Sequence, residues 1–239
     1  MTSDAGLRAA VAGLTGLAAA AEQELLAEPQ DTEGSADHWA AAPVIAHNTE
    51  FRRQQVQRLR AIRCGHAPPE FAEVDHASAA LYAELSAQPA DAVARDSWRV
   101  AGELAEEMRL VSREDLLDPD RNPWLRGRQL WLQVIVRGFW HPMGHLGEYY
   151  AGHGRPDRAV TLAEHAVAAA EYACAPAPAR GMASYNLACA LARAGQADEA
   201  AAALADAITL NPDIRANAVR DKDLAGIRNA ARVAALLGS

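Results

Sequence analysis

Three histidines in the sequence are candidate ligands of a metal ion. His141 and His145 lie four residues apart in "WHPMGHLGEYY", and residues four apart share one face of a helix. His47 lies in "PVIAHNTEF", on the apolar side of another predicted helix, where a buried imidazole needs a polar partner or a metal. Three imidazoles leave a coordination position open, as in catalytic zinc sites. The sequence therefore predicts a divalent-metal site at His47, His141 and His145.

Two alternatives bear on this hypothesis. A zinc protease is excluded, because Pro142 follows His141 where that motif requires a glutamate as general base. His141 and His145 could also be ordinary helix histidines that are hydrogen bonded to carbonyls or carboxylates. Glu50, close to one turn after His47, is either a carboxylate beside the metal or part of a solvated helix face.

Other side chains around the three histidines have two interpretations each. Aromatic residues either line a pocket or belong to the core, and they are Trp39, Trp140 and Tyr149. Arginines either bind the carboxylates of a cofactor or cover a solvated face, and they are Arg52, Arg53 and Arg58. The remaining histidines are predicted to lie in turns or at the surface, and they are His38, His66, His76, His153 and His165.

Helices must position these residues, because the chain is rich in Ala and Leu and has no alternating strand pattern. An up-down-up-down four-helix bundle over residues 1–152 accounts for the hydrophobic pattern. The third helical region contains "AQPADA", where we expect a break. The predicted helices span residues 5–28, 43–62, 70–112 and 124–152.

The C-terminal part, residues 153–239, contains an internal repeat. "HLGEYYAGHGRPDRAVTLAEHAV" aligns with "NLACALARAGQADEAAAALADAI" at an offset of 41 residues, with Gly154 and Gly195 at equivalent turns. The second copy resembles a tetratricopeptide repeat and ends in "LNPD". We therefore expect tetratricopeptide-like helical hairpins, and we expect the last bundle helix to continue into the first repeat without a flexible linker.

Composition narrows the class of protein. The 239 residues carry a net charge of −8, which disfavours a general nucleic-acid binder. The three cysteines show no CxxC spacing, so we expect a reducing compartment. No stretch is apolar enough to span a membrane, and a cytoplasmic location is expected. The Ala, Arg and Gly bias is typical of a bacterial sequence. The sequence leaves open whether the chain forms a homodimer.

The stretches "VIAHNTEFRRQQVQRL" and "WHPMGHLGEYY" together resemble the DinB-like, or YfiT-like, four-helix metalloproteins. The resemblance covers residues 1–152 and implies a metal-ligand role for His47, His141 and His145. It also implies zinc or nickel as the ion and a small-molecule substrate. Members of the family include transferases and isomerases that use a low-molecular-weight thiol such as mycothiol. The alternative is a non-catalytic scaffold whose repeats bind a protein partner.

Overall fold

The computed structural model describes residues 3–28, 34–36, 38–71 and 79–238. All regular elements in these ranges are helical and none is a strand, which confirms the all-α class. The chain divides into two compact units, of which one is Ser3–Pro142 and the other contains Met143–Ser239. In the described ranges, the structure has no helix with the length and apolar character needed to cross a membrane.

Three long helices form most of the N-terminal unit, and the last of the three, Ala90–Leu110, packs against both of the others. The break expected near "AQPADA" falls between the third and fourth helices of the chain. The helices of this unit, in chain order, are α1 (Asp4–Ala27), α2 (Ala41–Arg63), α3 (Ala79–Ser86), α4 (Ala90–Leu110), α5 (Arg113–Leu117) and α6 (Leu130–Ile135).

A buried polar network joins α1, α2 and α4. The Glu22 carboxylate accepts two hydrogen bonds from the Arg52 guanidinium, at 2.6 and 2.8 Å. It accepts two more, from Asn48 Nδ2 at 3.0 Å and from Ser97 Oγ at 2.7 Å. All four residues are fully buried, so the interpretation of Arg52 as part of a solvated face is wrong. Because these bonds form at only one rotation of α2, they also determine where its histidine points.

A second charged cluster joins α2 to α4 nearer their ends. Arg60 Nε and Arg63 Nε each donate to a different oxygen of the buried Glu107 carboxylate, both at 2.9 Å. Burial alone would raise the pKa of the Glu107 carboxyl. The hydrogen bonds and charges of the two arginines outweigh burial and hold this pKa below its usual range.

The helix that carries His141 is interrupted just before it. After α6 the backbone widens into a π-helical turn, Val136–Trp140, and then continues as α7 (His141–Gly152). The His141 N–H donates to the carbonyl of Val136, five residues back, and the next residue, Pro142, has no N–H to donate. The chain therefore accommodates Pro142 just after a π turn.

Two further features of this segment concern its start and its packing. The predicted start at Trp124 was wrong, since Trp124 lies in a 3-10 turn and the helix begins at Leu130. Gly138 packs closely against α1 and α4, because a Cβ added there would lie 2.5 Å from Thr15 Cγ2 and 2.9 Å from Leu104 Cδ2. A glycine therefore allows the π turn to sit against the two neighbouring helices.

The C-terminal unit repeats one turn geometry at the offset found in the sequence. Gly154 and Gly195 both adopt the left-handed conformation, with φ of 71° and 77°. The residue after each glycine donates its N–H five residues back, from Arg155 to Tyr150 and from Gln196 to Leu191, at 2.8 and 2.9 Å. The helices after α7 are α8 (Pro156–Tyr172), α9 (Ala177–Arg193), α10 (Ala197–Leu210), α11 (Ile214–Ala218) and α12 (Ala231–Leu237).

Candidate metal centre

The imidazoles of His47 on α2 and His141 on α7 face each other. Their Nε2 atoms lie 3.3 Å apart. Two nitrogens bonded to one tetrahedral zinc ion at 2.0–2.1 Å are themselves about 3.3 Å apart. His47 is buried and His141 is half-buried. The distance fits two ligands of a common ion.

His145 is one turn further along α7. The boundary between the two compact units falls between Pro142 and Met143, inside this helix, so continuous helical backbone relates His145 to His141. The ligand atoms of His47, His141 and His145 all lie within 4.8 Å of one another. This half-buried cluster could hold a metal ion.

Aromatic rings surround the imidazoles. The Phe51 ring, one turn after His47 on α2, lies 4.8 Å from the His47 ring and 4.6 Å from the His141 ring. The Trp39 ring meets His47 edge-on at 5.9 Å, so Trp39 does contact the cluster. These contacts limit the rotation of the imidazoles and exclude water from the inner side of the cluster.

A carboxylate orients His145. Its Nδ1 lies 2.8 Å from Oε2 of Glu148, three residues further along α7. With Nδ1–H donating to the carboxylate, Nε2 of a neutral imidazole keeps its lone pair for an ion. His145 can therefore be hydrogen bonded to a carboxylate and also serve as a metal ligand, so the two interpretations of this residue are compatible. The sequence reasoning missed Glu148, although its spacing from His145 was a usable signal.

Glu148 is in turn held by the C-terminal unit. Its Oε1 lies 3.5 Å from Nη2 of Arg193, the last residue of α9, and Arg193 also forms an ion pair with Asp223. Burial raises the pKa of Glu148, but the hydrogen bond and charge of His145 and the charge of Arg193 outweigh burial and lower this pKa to about 2. The carboxylate is therefore ionised at neutral pH and accepts from His145.

A cavity of about 170 Å³ borders His47 on the side of α3 and α4. Phe51 and aliphatic side chains line part of its wall. Glu50 also borders it, but its carboxylate pairs with Arg53 at 3.0 Å, and Arg53 pairs in addition with Asp96. Glu50 is therefore an ion-pair partner on the cavity wall, and it does not belong to the histidine cluster.

The other histidines among the described residues do not belong to the cluster. His153, in the turn after α7, stacks on Tyr149 with ring centroids 4.0 Å apart and donates from Nδ1 to the Tyr149 carbonyl at 2.8 Å. As expected, the side chains of His38, His66 and His165 are exposed. His76 lies outside the described residues.

A second group with metal-ligand atoms in proximity lies between α9 and the 3-10 turn Lys222–Leu224. Cys189, Asp221 and Asp223 offer atoms within 4.8 Å of one another. The carboxylates already have protein partners, since Tyr185 Oη donates to Asp221 at 2.6 Å and Arg193 pairs with Asp223. Burial raises the pKa of the Cys189 thiol, which stays protonated. We interpret this group as a structural polar cluster.

No family model matches the chain, and no curated protein or solved structure matches it either. The geometry of the histidine cluster is therefore what supports a function.

Proposed function

We propose that this chain is a divalent-metal-binding protein of the DinB-like type, with His47, His141 and His145 as its ligands. The observation that carries the proposal is the 3.3 Å separation of the His47 and His141 Nε2 atoms, with His145 one turn further along α7. The orientation of His145 by Glu148 adds the carboxylate–histidine pairing that accompanies metal-bound histidines. Three imidazoles suit zinc or nickel.

We further propose that α1, α2, α4 and the α6–α7 segment are the four helices of the DinB-like bundle, residues 1–152. Their order along the chain and the placement of the ligands on the second and the last of them support this arrangement. The hairpins that follow, residues 153–239, are proposed to be tetratricopeptide-like. The recurrence of the same glycine turn after 41 residues supports that assignment.

The proposed activity is transfer or isomerisation through a low-molecular-weight thiol such as mycothiol. A dication held by the three imidazoles would lower the pKa of a coordinated thiol, so that the thiol would be present as thiolate at neutral pH. The three imidazoles leave a position for that sulfur. Phe51 and Trp39 restrict water around His47, and the cavity beside His47 offers room for a small substrate fragment.

A conjugation assay tests this activity. The purified chain is loaded with zinc or nickel and given mycothiol, or another low-molecular-weight thiol, with 1-chloro-2,4-dinitrobenzene as electrophile. Conjugation is expected to need the ion, to stop on addition of a chelator, and to return when the ion is restored. His141→Ala should abolish it, and His165→Ala, which removes an exposed histidine, should not. A fully metal-loaded chain that conjugates nothing would favour the scaffold alternative.

A further inference from the structure

Two arginines near the histidine cluster have aromatic rings beside them but no carboxylate from the described part of the chain. The Arg137 guanidinium lies 4.4 Å from the centroid of the Phe51 ring. The Arg58 guanidinium lies 4.8 Å from the Phe71 ring and 5.2 Å from the Trp124 ring. Within the described part of the chain, neither arginine forms an ion pair. Both are half-buried cations, and no carboxylate among the described residues matches their charge.

An arginine without a carboxylate partner is unusual among the described arginines of α2. Its other arginines all pair with carboxylates, and they are Arg52, Arg53, Arg60 and Arg63. The chain has 31 acidic residues against 23 basic ones, so acidic partners are abundant. Arg58 is the exception on α2 among the described residues, and its Nε donates to the Pro69 carbonyl at 3.4 Å.

Donors without acceptors accompany the two charges. Arg137 Nε and the indole Nε1 of Trp124 are both buried and have no hydrogen-bond partner among the residues that the structure describes. Burial lowers the pKa of Arg58 and of Arg137, and for Arg137 the charge of Arg58 lowers it further. Two cations that repel each other and two unused N–H groups form an environment that an anion would stabilise.

Helix geometry places this environment beside the histidines. Phe51 and Arg58 follow His47 on the same face of α2, after one turn and after about three turns. Arg137 precedes His141 by one turn. The Phe51 ring contacts both imidazoles and also the Arg137 guanidinium. Arg137 therefore lies one aromatic ring away from the proposed metal ligands, and Arg58 lies further along α2, where its charge still acts on Arg137.

We propose that Arg58 and Arg137 together bind an oxyanion, either a carboxylate or a phosphate. This oxyanion belongs to the same molecule whose sulfur would bind the metal at the histidine cluster. The planar guanidinium presents paired N–H donors that match both oxyanions, and these charge-assisted bonds are among the strongest in proteins. The inference rests on the proposed function, and it narrows the thiol or its conjugate to an anionic compound.

Thiols of graded length test the proposal. The full chain is loaded with Co²⁺, and binding of a thiolate is followed by the sulfur-to-cobalt absorption band. The probes are ω-mercaptocarboxylates of two to six carbons, each compared with the ω-mercaptoalcohol of equal length. At the length that spans the two sites, the carboxylate is expected to bind at least about tenfold more tightly than the alcohol.

Single substitutions test whether Arg58 and Arg137 cause the preference for the carboxylate over the alcohol. Arg58→Met and Arg137→Met should each remove most of it while cobalt content stays that of the unmodified chain. Arg60→Met, which removes an equal charge from the same helix, should leave it intact. Arg137→Lys keeps the charge and should retain part of the preference, and this variant serves if Arg137→Met does not fold.

The possible outcomes separate this inference from the function on which it rests. No cobalt uptake, or no thiolate band with any probe, overturns both. A thiolate band with equal affinity for carboxylates and alcohols at every length overturns the anion site and leaves the metal site standing. A preference that persists in both methionine variants also overturns it. If the preference is found, competition by inorganic phosphate and by acetate shows which oxyanion binds better.

Discussion

Replacing Arg52 by methionine should destabilise the N-terminal unit strongly. The substitution keeps most of the aliphatic stem but leaves the Glu22 carboxylate buried without a counter-charge. Removing one partner of a buried ion pair costs about 3–5 kcal/mol. Glu22 would keep its bonds from Asn48 and Ser97, at 3.0 and 2.7 Å, so we expect a loss near the lower limit, about 3 kcal/mol.

Urea denaturation followed by far-ultraviolet circular dichroism measures this loss. Arg99→Met is the matched control, since Arg99 pairs with acidic residues on the exposed face of α4, where such pairs contribute about 0.2–1 kcal/mol. The double variant Glu22→Leu with Arg52→Met should be more stable than Arg52→Met alone, because no charge stays buried. A loss below about 1 kcal/mol for Arg52→Met would refute the reasoning that this pair is desolvated and fixes α2.

Three further predictions concern packing, pH and the orientation of a ligand. Gly138→Ala should lower the free energy of unfolding by about 1–2 kcal/mol, because overpacking outweighs the gain in helix propensity, whereas Gly102→Ala, with open space around it, should be neutral or stabilising in the same denaturation assay. Glu107→Gln should cost about 1 kcal/mol at pH 7. The folded pKa of Glu107 lies below the unfolded value of about 4.3, so the stability that Glu107 contributes is complete above that value and is lost as pH falls through the folded pKa. The urea midpoints of the unmodified protein and of Glu107→Gln should therefore converge in acid. A gap between the two midpoints that stays constant with pH would contradict the ion pairing of Glu107. Glu148→Ala should weaken zinc binding, measured by competition with a chromophoric chelator, by about 10–100-fold, and an unchanged affinity would show that Glu148 does not orient His145.

Local patterns in the sequence indicate much of this fold. The apolar periodicity of α1 and α2 gives their positions to within two residues, since each helix buries one continuous face. The break before α4 follows from Pro89, which is the N-cap of that helix. Because proline has no N–H to donate, α3 cannot continue through this position as regular helix. The start of α6 could not be read in this way, because the apolar run after Trp124 does not show where helical hydrogen bonding begins.

The candidate site is only partly visible in the sequence. The spacing of His141 and His145 places them on one helix face, but their proximity to His47 depends on the rotation of α2, which the Glu22–Arg52 network sets through residues 30 positions apart. A buried arginine looks like a solvated one in sequence, because burial depends on partners from other helices. For the same reason, sequence alone could not distinguish Arg58, which pairs with no described carboxylate, from its paired neighbours on α2.

Metal content of the purified chain tests the central claim most directly. After loading with zinc and removal of excess ion, mass spectrometry of the metal should find one tightly held ion per chain in the unmodified protein. His145→Ala should lose that ion, whereas His165→Ala should retain it. An unmodified chain that holds no ion, or a His145→Ala chain as fully loaded as the unmodified one, would contradict the assignment of His47, His141 and His145 as metal ligands.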